Sequence, residues 1–393
     1  MKKIVGLVTF KILIILDILI ILALISENAS ANTWSTETLD SAGYTGHWTS
    51  IDLDSNDYPH ISYYDWTEYI DDLMYVRWTG SSWDIQTVDS EGDAGRFASL
   101  AVDTDNNSHI SYHFSGSGDP VHYHDLRYAK WTGTDWSIQT VDYLGDVGYQ
   151  CSIALDSSDY PHISYWDEDN HNIKYARWTG GGWNIGVVGH AGSFEFSDER
   201  SISIDLDSND YAHIAYFEGD NKDLKYANWT GSGWNIVTVD SVGEVGHCVS
   251  IELDSSDYPH ISYFDFTNWA LKYAHWDGGG WNVETLDSSG EVGYATSIAL
   301  NKDDFPYISY YDGKNNDLKL AWYNASGWQF EYADTAESVG GYTSIGIDST
   351  ENIHISYYDF TNSALKYARK YSIVPAAPTG LIAIPDDTQV SLS

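Results

Sequence analysis

The 393-residue sequence is poor in cysteine and in basic residues. It contains 2 cysteines and 19 lysines and arginines against 58 aspartates and glutamates, so the formal net charge at pH 7 is −39. Two cysteines do not build a disulfide framework, and we expect buried thiols instead. Such an acidic chain lacks the basic face that binds nucleic acid or anionic membranes, which excludes both as partners. A secreted soluble surface, a salt-rich habitat and occupancy by Ca²⁺ each account for the acidity, and composition leaves the three open.

Amphipathic helical patterns are also missing from the body of the chain. Apolar residues recur at every second position, as in half-buried strands, and not at intervals of three and four. Residues 50–90 contain four such runs, SIDLD, PHISYYD, LMYVRWTG and WDIQTVDS, separated by Asn, Asp, Ser and Gly. These residue types are enriched in strands and turns, so we expect an all-β protein.

This four-strand unit occurs seven times. The repeat is clearest at the second position of the PHISYYD-type segments, which is occupied by His60, His109, His162, His213, His260, Tyr307 and His354. A period of about 50 residues indicates a propeller or a solenoid array. Four strands in each unit predict a β-propeller with seven four-stranded blades.

The repeats are offset relative to the ends of the chain. Each PHISYYD-type segment except the last is followed by a tryptophan segment such as SWDIQTVDS, and the related TWSTETLDS at Trp34 precedes them all. SIGID, IHISYYD and ALKYARK provide only three strands for the last blade. We therefore expect the strand around Trp34 to Leu39 to complete that blade, which closes the ring and covers an exposed edge.

The first 31 residues differ from the repeats. They have a basic start, a long apolar run and the small residues Ala29, Ser30 and Ala31, a pattern typical of a secretory signal peptide. An uncleaved anchor is the alternative, although Lys11 and Asp17 interrupt the apolar run. We expect a secreted or cell-surface protein whose mature chain, with a propeller over residues 32–371, does not insert into a membrane.

The last residues differ as well. Residues 372–379 contain the Pro-Ala-Ala-Pro run of a linker. In the following segment, Pro378, Leu381, Ala383, Val390 and Leu392 fall where a fibronectin type III domain places its first strand and the start of its second. Residues 380–393 thus resemble the truncated start of such a domain.

The repeats carry a second resemblance. The segment DLKYANWTGSGWNI, residues 223–236, is similar to the Leu-x-Tyr, Trp, Gly, Trp pattern of fucose-binding seven-bladed lectins. The repeats as a whole resemble secreted propellers of the sialidase-like and propeller-lectin kind, which implies recognition of carbohydrate. The Ser-x-Asp-x-Gly-x-Thr-Trp boxes of sialidases are absent. Most arginines are predicted to share one strand position, namely Arg77, Arg127, Arg177 and Arg369, which singles out Arg96 and Arg200.

A candidate ligand site lies three residues before the serine that opens each inner strand. This position varies in polar identity within a fixed Gly-rich frame, as expected of a site on a repeated scaffold. Its occupants are His47, Arg96, Tyr149, Arg200, His247, Tyr294 and Gly341, with Tyr342 adjacent to the last. We predict that these side chains surround the channel mouth; ordinary loop side chains are the alternative.

The loops between the second and third strands of the blades should open on the same face. They carry aromatic residues beside carboxylates and amides, which suits sugars because rings stack on apolar sugar faces while polar groups bind hydroxyls. The aromatic residues that we add to the predicted site are Trp66, Trp166 and Trp269. Asx-turn chemistry and packing at the rim are the alternative.

The repeated histidine and aspartate are predicted to be structural. One histidine at the same strand position in six blades does not make six active sites, so we expect buried hydrogen-bonding groups. Asp54 and its equivalents should cap the turn between the first two strands. Calcium at these aspartate-rich turns stays open as an alternative, and no other cofactor is expected.

Blade 2 contains an insertion, HFSGSGDPVHYHDL. It brings His113, His122, His124 and Asp119 close in sequence. His122 and His124 alternate on an extended chain and could share a metal ion, whereas a flexible glycine-rich loop is the alternative.

Three functions are compatible with these patterns. We favour a monomeric, exported binding module for a glycan or another cell-surface ligand, not an enzyme, because pocket-forming elements repeat while no single catalytic constellation stands out. A carbohydrate-active hydrolase or lyase would need a pair of carboxylates on the channel face. A structural or adhesive surface protein is the third alternative.

Overall fold

The strands coincide with the alternating runs of the sequence. The computed structural model describes residues 33–67, 70–116, 123–193 and 201–372. All regular secondary structure in these ranges is β-strand, and they contain no helix that could cross a membrane. The predicted signal peptide, the fibronectin-like start at 380–393, and Arg200, His122 and Asp119 lie outside the described residues, as does all of the linker except Ser372.

The strands form seven antiparallel sheets of four strands. Blade 1 comprises β2 (Thr45–Leu53), β3 (Pro59–Thr67), β4 (Ile70–Trp78) and β5 (Trp83–Asp89). Blade 2 comprises β6 (Asp93–Val102), β7 (Ser108–Gly116), β8 (Tyr123–Trp131) and β9 (Trp136–Asp142). Blade 3 comprises β10 (Val147–Leu155), β11 (Pro161–Asp167), β12 (Asn172–Trp178) and β13 (Trp183–His190).

The next three blades repeat this order. Blade 4 comprises β14 (Ile202–Leu206), β15 (Ala212–Glu218), β16 (Asp223–Trp229) and β17 (Trp234–Asp240). Blade 5 comprises β18 (Val245–Leu253), β19 (Pro259–Asp265), β20 (Ala270–Trp276) and β21 (Trp281–Asp287). Blade 6 comprises β22 (Val292–Leu300), β23 (Pro306–Asp312), β24 (Asp317–Asn324) and β25 (Gly327–Asp334).

Blade 7 takes strands from both ends of the repeat region. It comprises β26 (Val339–Ile347), β27 (Ile353–Asp359), β28 (Ala364–Lys370) and β1 (Trp34–Asp40). β1 pairs antiparallel with β28, from Trp34 opposite Lys370 to Asp40 opposite Leu365. The predicted seven-bladed propeller and its closure by the strand at Trp34 are thus confirmed.

Serine side chains link the inner strands of neighbouring blades. The Ser50 hydroxyl accepts a hydrogen bond from the Leu100 backbone N–H at 3.1 Å. The equivalent bonds run from Ile153 to Ser99, Ile204 to Ser152, Ile251 to Ser203, Ile298 to Ser250, Ile345 to Ser297 and Ile51 to Ser344. Because the last bond joins blade 7 to blade 1, this series is continuous around the ring.

Aspartates at the ends of fourth strands form a second link between blades. Asp142 of blade 2 accepts hydrogen bonds from Tyr165 and Lys174 of blade 3, with the tyrosine at 2.7 Å. Burial disfavours the charged carboxylate, yet these two donors lower the pKa of Asp142. Asp40 of β1 accepts the same bond from Tyr63 of blade 1 at 2.7 Å, so the terminal strand also joins this system.

Repeated aromatic side chains pack between neighbouring blades. In six blades the tyrosine near the middle of the third strand contacts the tryptophan that opens the fourth strand of the next blade, for example Tyr175 and Trp234 with ring centroids 5.3 Å apart, whereas blade 6 has Leu320 at this position. Each inter-blade core combines residues of two blades: one contains Leu73 and Tyr75 of blade 1 with Ile110 of blade 2.

The repeated histidines are buried structural groups. In blade 2, the Tyr128 hydroxyl lies 2.7 Å from His109 Nδ1, and His109 Nε2 lies 3.1 Å from Asp103 Oδ2. Asp103 also accepts the backbone N–H groups of Asp105 and Asn107, which caps the turn between the first two strands. Both structural interpretations are confirmed by these contacts. Cys151 and Cys248 are buried and form no disulfide, also as predicted.

The two faces of the propeller differ in their connections. The turns from first to second strand and from third to fourth strand, such as those at Asp54–Tyr58 and Thr79–Ser82, lie on one face, called here the turn face. The connections from second to third strand and from blade to blade lie on the other face, called the loop face. The predicted ring of polar residues belongs to the loop face.

Candidate functional site

In six blades, all except blade 4, the inner strand is irregular at its loop-face end. In β2 the pairing with β3 shifts between Thr45 and His47 and again between His47 and Ser50. Trp48 within this bulge has a φ of 47°, in the left-handed region that large side chains rarely adopt. The equivalent positive-φ residues are Phe97, Gln150, Cys248, Ala295 and Tyr342. A bulge of this kind, repeated in six blades, re-aims one side chain in each of them.

The bulge residues of blades 7, 1 and 2 form an aromatic cluster. The Trp48 ring centroid lies 4.9 Å from that of Phe97 and 5.5 Å from that of Tyr342. The sequence-based prediction included Tyr342 but omitted Trp48 and Phe97, which directly follow His47 and Arg96. The signal was available in the aligned repeats, because the remaining blades have Gln150, Ser201, Cys248 and Ala295 at this position.

His47 lies at the centre of a group of rings. It is buried, and its ring centroid is 4.2 Å from Tyr358, 5.2 Å from Tyr342 and 6.0 Å from Trp66. Trp66 itself is 57% exposed, so its outer face is accessible to a ligand. The structure thus brings three of the predicted residues, His47, Trp66 and Tyr342, together at the junction of blades 7 and 1.

Arg96 and Tyr149 lie at neighbouring junctions. Arg96 forms an ion pair with Asp93 at 2.9 Å, and its guanidinium lies 5.9 Å from the Tyr64 ring centroid. Tyr149 lies 6.0 Å from the buried Trp166. Burial and the nearby Glu168 and Asp146 raise the pKa of Tyr149 above its usual range, so this phenol is a hydrogen-bonding group at neutral pH.

The other predicted residues lie on blades 5 and 6. His247 is buried, with its ring centroid 4.0 Å from that of Phe217 and its Nε2 3.4 Å from Glu244. Tyr294 and Trp269 contact the same ring, Phe264, at 5.7 and 5.9 Å. Trp269 is 44% exposed on the loop face.

The predicted grouping of the arginines is wrong for Arg127. Arg77, Arg177 and Arg369 occupy one register position, opposite the repeated histidines His60, His162 and His354. Arg127 instead lies opposite Tyr112, at the position where most other blades have lysine, and forms ion pairs with Asp89 and Glu91. Its aspartate partner is the one that ends the fourth strand of the preceding blade, as for Lys174.

The blade 2 insertion places two histidines in contact. His113 Nε2 lies 3.0 Å from His124 Nδ1, and His124 Nε2 lies 3.7 Å from Asp146 Oδ1. The Tyr149 ring lies beside both imidazoles in a tilted arrangement, with ring centroids 4.3 Å from His113 and 5.4 Å from His124. Burial, together with His124 and Arg96, holds the pKa of His113 well below its usual range. The arrangement can exchange a proton between the two rings.

Three carboxylates converge in the channel. Asp52, Asp205 and Glu252 occupy equivalent positions on the inner strands of blades 1, 4 and 5. Burial raises the pKa of Asp52 and of Asp205 to about 6. Burial, Asp205 and Asp52 raise the pKa of Glu252 well above its usual range. Because the inner strands surround the channel, these equivalent positions on blades 1, 4 and 5 place the three carboxyl groups around it.

Grooves between neighbouring blades open on the turn face. The groove between blades 2 and 3 has a volume of about 450 Å³, that between blades 3 and 4 about 530 Å³, and that between blades 4 and 5 about 310 Å³. Their linings are equivalent: a third-strand tyrosine, a polar residue two positions later, fourth-strand residues, and the Asp-Tyr turn and third-strand tryptophan of the next blade.

The groove between blades 3 and 4 illustrates this lining. Tyr175, Arg177 and Asn184 come from blade 3. Blade 4 contributes Asp210, Tyr211, Trp229 and Trp234. The prediction from the sequence missed these grooves, because it placed the site on the loop face.

The described residues contain no group of three or more His, Cys, Asp or Glu side chains arranged to hold a metal ion. The carboxylate oxygens of the turn aspartates accept hydrogen bonds from backbone N–H groups instead. Asp54 Oδ1, for instance, accepts the N–H groups of Asn56 and Tyr58 at 2.8 and 2.9 Å.

Comparison with known proteins supports the architecture. No protein-family model and no curated protein matches the sequence. The fold is similar to that of the SapL1 lectin in complex with alpha methyl fucoside, with a TM-score of 0.51 and 16% identity over 74% of this chain and 97% of that chain. It is similar to a PL25 polysaccharide lyase, an ulvan lyase, with a TM-score of 0.56 and 11% identity over 84% and 95% of the two chains.

A third similar structure is a protein of unknown function from Dyadobacter fermentans DSM 18053. The TM-score is 0.52 and the identity 10%, over 85% of this chain and 97% of that chain. At identities this low, the three likenesses show that the chain shares the propeller fold.

Proposed function

We propose that the chain is an exported, monomeric carbohydrate-binding module that holds sugars in the grooves between its blades. The observation that supports this proposal is the repeated lining of the grooves. Tryptophan and tyrosine rings provide flat apolar faces for a sugar ring, and the side chain two positions after the third-strand tyrosine provides a polar contact for hydroxyls. Concave sites with a few placed polar groups are typical of small-ligand binding.

The repetition of the grooves favours binding over catalysis. Equivalent sites on successive blades would let one molecule engage several sugars of a glycan surface, which strengthens attachment without further contacts. A catalytic site needs one unique constellation of groups instead. The SapL1 lectin, whose structure contains alpha methyl fucoside, is similar in fold and is consistent with this use of a propeller.

A glycan array tests the proposal. Wild-type protein should bind carbohydrate, and replacing Trp178, Trp229 and Trp276 together with alanine should weaken binding at least about 3- to 10-fold, the value of one lost aromatic stacking contact. The matched control replaces Trp66 and Trp269, the exposed tryptophans of the loop face, with alanine. Both variants should retain the wild-type unfolding temperature within a few degrees.

The same array separates the alternatives. Loss of binding only in the loop-face variant would move the site to the predicted ring from His47 to Tyr342. An array in the presence of Ca²⁺ and a second in EDTA would detect a contribution of calcium at the aspartate turns. Absence of binding to every glycan in both conditions would reject the proposal and leave a structural or adhesive role.

A second function, a carbohydrate-active enzyme, is favoured by the contact of His113, His124 and Tyr149. A neutral imidazole that shares a proton with a partly exposed one, next to a phenol, is suited to general acid–base catalysis. We expect His124→Ala to abolish any release of reducing ends or unsaturated sugars from polysaccharides. His190→Ala, which removes an exposed histidine 3.1 Å from Asp220, is the control and should have no effect. No product from wild-type protein would reject this function.

A further inference from the structure

Arg177 is exceptional among the basic residues of this acidic chain. In the described ranges, every lysine and arginine except Arg177 and Lys314 has a carboxylate oxygen within 4.0 Å. Lys314 donates a hydrogen bond to the Ser289 carbonyl oxygen at 3.0 Å. Arg177 is exposed and lines the groove between blades 3 and 4. With acidic residues in large excess, a guanidinium without a carboxylate calls for a specific explanation.

The equivalent arginine of blade 1 shows what Arg177 lacks. Arg77 lies opposite Asp84 in the hairpin of β4 and β5, and its Nε is 3.5 Å from Asp84 Oδ2. Arg177 lies opposite Asn184 in the hairpin of β12 and β13. The asparagine has the size of the aspartate but no charge. The sequence therefore provides the arginine at both positions and the carboxylate at only one.

The one carboxylate that lines this groove is already bound elsewhere. Among the described residues around the groove, only Asp210 is acidic. Its oxygens accept the Ser157 backbone N–H at 2.8 Å and the Ser157 hydroxyl at 2.7 Å. These bonds join blade 4 to the turn of blade 3. Asp210 is consequently engaged in the contact between blades, and the Arg177 guanidinium faces the groove with no counter-ion among the described residues.

We propose that the groove between blades 3 and 4 binds a sugar that carries an anionic group, a uronate carboxylate or a sulfate ester, with Arg177 as its counter-ion. A guanidinium presents paired N–H donors that match the oxygens of such groups. Trp229, Trp234 and Tyr211 provide the ring faces for the sugar itself. This inference rests on the proposed function and assigns a ligand class to one of its grooves.

The neighbouring grooves lack this feature. In the groove between blades 2 and 3, Lys130 takes the position of Arg177 and lies 3.1 Å from Asp103. In the groove between blades 4 and 5, the uncharged Asn228 takes the position and accepts a hydrogen bond from Asn235 at 3.0 Å. We expect these two grooves to prefer neutral sugars.

Binding measurements on one substitution test the inference. Asn184→Asp gives Arg177 the carboxylate that Arg77 has, and should lower affinity for anionic glycans by about tenfold or more, the effect of removing one charged hydrogen bond. Arg177→Gln should have the same effect. Binding of neutral glycans should not change. The control is Asn106→Asp, which adds a carboxylate to blade 2 at a residue that lines none of the three described grooves and keeps the oxygen that accepts the Ser55 backbone N–H.

The probes are glucuronate oligosaccharides and galactose 6-sulfate oligosaccharides, each measured beside its neutral glucose or galactose counterpart. Preference for one anionic series identifies the carboxylate or the sulfate as the recognised group. Binding restricted to neutral sugars, or anionic binding that Arg177→Gln leaves intact, would overturn the inference while the proposed function stands. No binding of wild-type protein to either anionic series would also overturn the inference, and the glycan array decides separately whether the proposed function stands.

Discussion

Single buried residues make the stability of this propeller depend on pH in two opposing ways. Burial, partly offset by the nearby carboxylates, lowers the pKa of His60 and of His109 to about 4. These histidines are neutral in the folded protein at neutral pH, held by a tyrosine hydroxyl on one nitrogen and an aspartate near the other. The pKa values of the channel carboxylates are shifted in the opposite direction, since burial raises the pKa of Asp52 to about 6.

Acid should therefore unfold the protein through its histidines. Between pH 6.5 and 4 the unfolded chain protonates His109 while the folded chain does not, so each such group removes about 1.4 kcal/mol of unfolding free energy per pH unit as the pH falls. His109→Gln should reduce this slope. Urea unfolding at pH 7, 6 and 5 measures it, and equal slopes for variant and wild type would contradict the assignment.

The channel carboxylates predict the reverse dependence. A carboxyl group with a raised pKa stabilises the folded protein at low pH, and this contribution is lost as the pH rises through the folded pKa. Glu252→Gln removes a carboxyl group whose ionised form is disfavoured by burial and by Asp205 and Asp52, so it should raise the unfolding temperature at pH 8 and have less effect at pH 5. A variant that is destabilised at pH 8 would show that the carboxylates do not face one another.

At the scale of strands, the inner-strand serines are the elements that join blade to blade. Each serine hydroxyl accepts a backbone N–H from the inner strand of the neighbouring blade. That inner strand is the edge of its sheet, so no further strand pairs with this N–H group. A buried N–H that loses its acceptor costs the desolvation of the group, whereas a hydroxyl without a partner costs little to remove. The serines of the inner and second strands are paired in register, but their removal should change the free energy of unfolding by different amounts.

Two serines of blade 2 allow a matched test. Ser99 accepts the Ile153 N–H at 3.2 Å, whereas the buried Ser111 hydroxyl opposite it has no hydrogen-bond partner among the described residues. Ser99→Ala should reduce the unfolding free energy by about 1–3 kcal/mol. Ser111→Ala should stay within about 0.5 kcal/mol of wild type. Equal effects in chemical denaturation would argue against a linking role for Ser99.

At the scale of the whole molecule, β1 makes the ring depend on residues from both ends of the repeat region. Without it, β28 would present unpaired backbone groups along an exposed edge, and Tyr63 of blade 1 would lose Asp40. Both sets of inter-blade hydrogen bonds, those of the inner-strand serines and those of the fourth-strand aspartates, therefore cross the junction between blades 7 and 1.

Removal of residues 34–40 should therefore expose an edge that recruits other chains. We expect the shortened propeller to form dimers or larger assemblies in light scattering, and a synthetic peptide of residues 34–40 to restore the monomer. A shortened protein that stays monomeric with an unchanged unfolding temperature would show that blade 7 is stable with three strands.

The number of blades, the strand order and the closure could be read from the sequence because they depend on local patterns. Alternation of apolar and polar residues along a strand indicates that one face of the strand is buried, and this pattern occurs in all seven repeats. The same redundancy separated the repeated His60 and Asp54 from candidate catalytic residues. The bulge at Trp48 was missed because its extra residue lies in the short segment TGHWTS, which has hardly any apolar alternation that the register shift could disturb.

The grooves needed the tertiary structure because each is built from two blades. Arg177 and Trp229 belong to different repeats, and only the packing of blade 3 against blade 4 places them in one lining. Whether Arg177 has a counter-ion depends on Asn184 across a hairpin and on the hydrogen bonds that hold Asp210 to Ser157. The sequence alone determined a closed seven-bladed ring, because the strand periodicity and the offset of the repeats can both be read along the chain. Only the tertiary structure decided which tryptophans pack and which line a groove, because exposure is a property of neighbours in space.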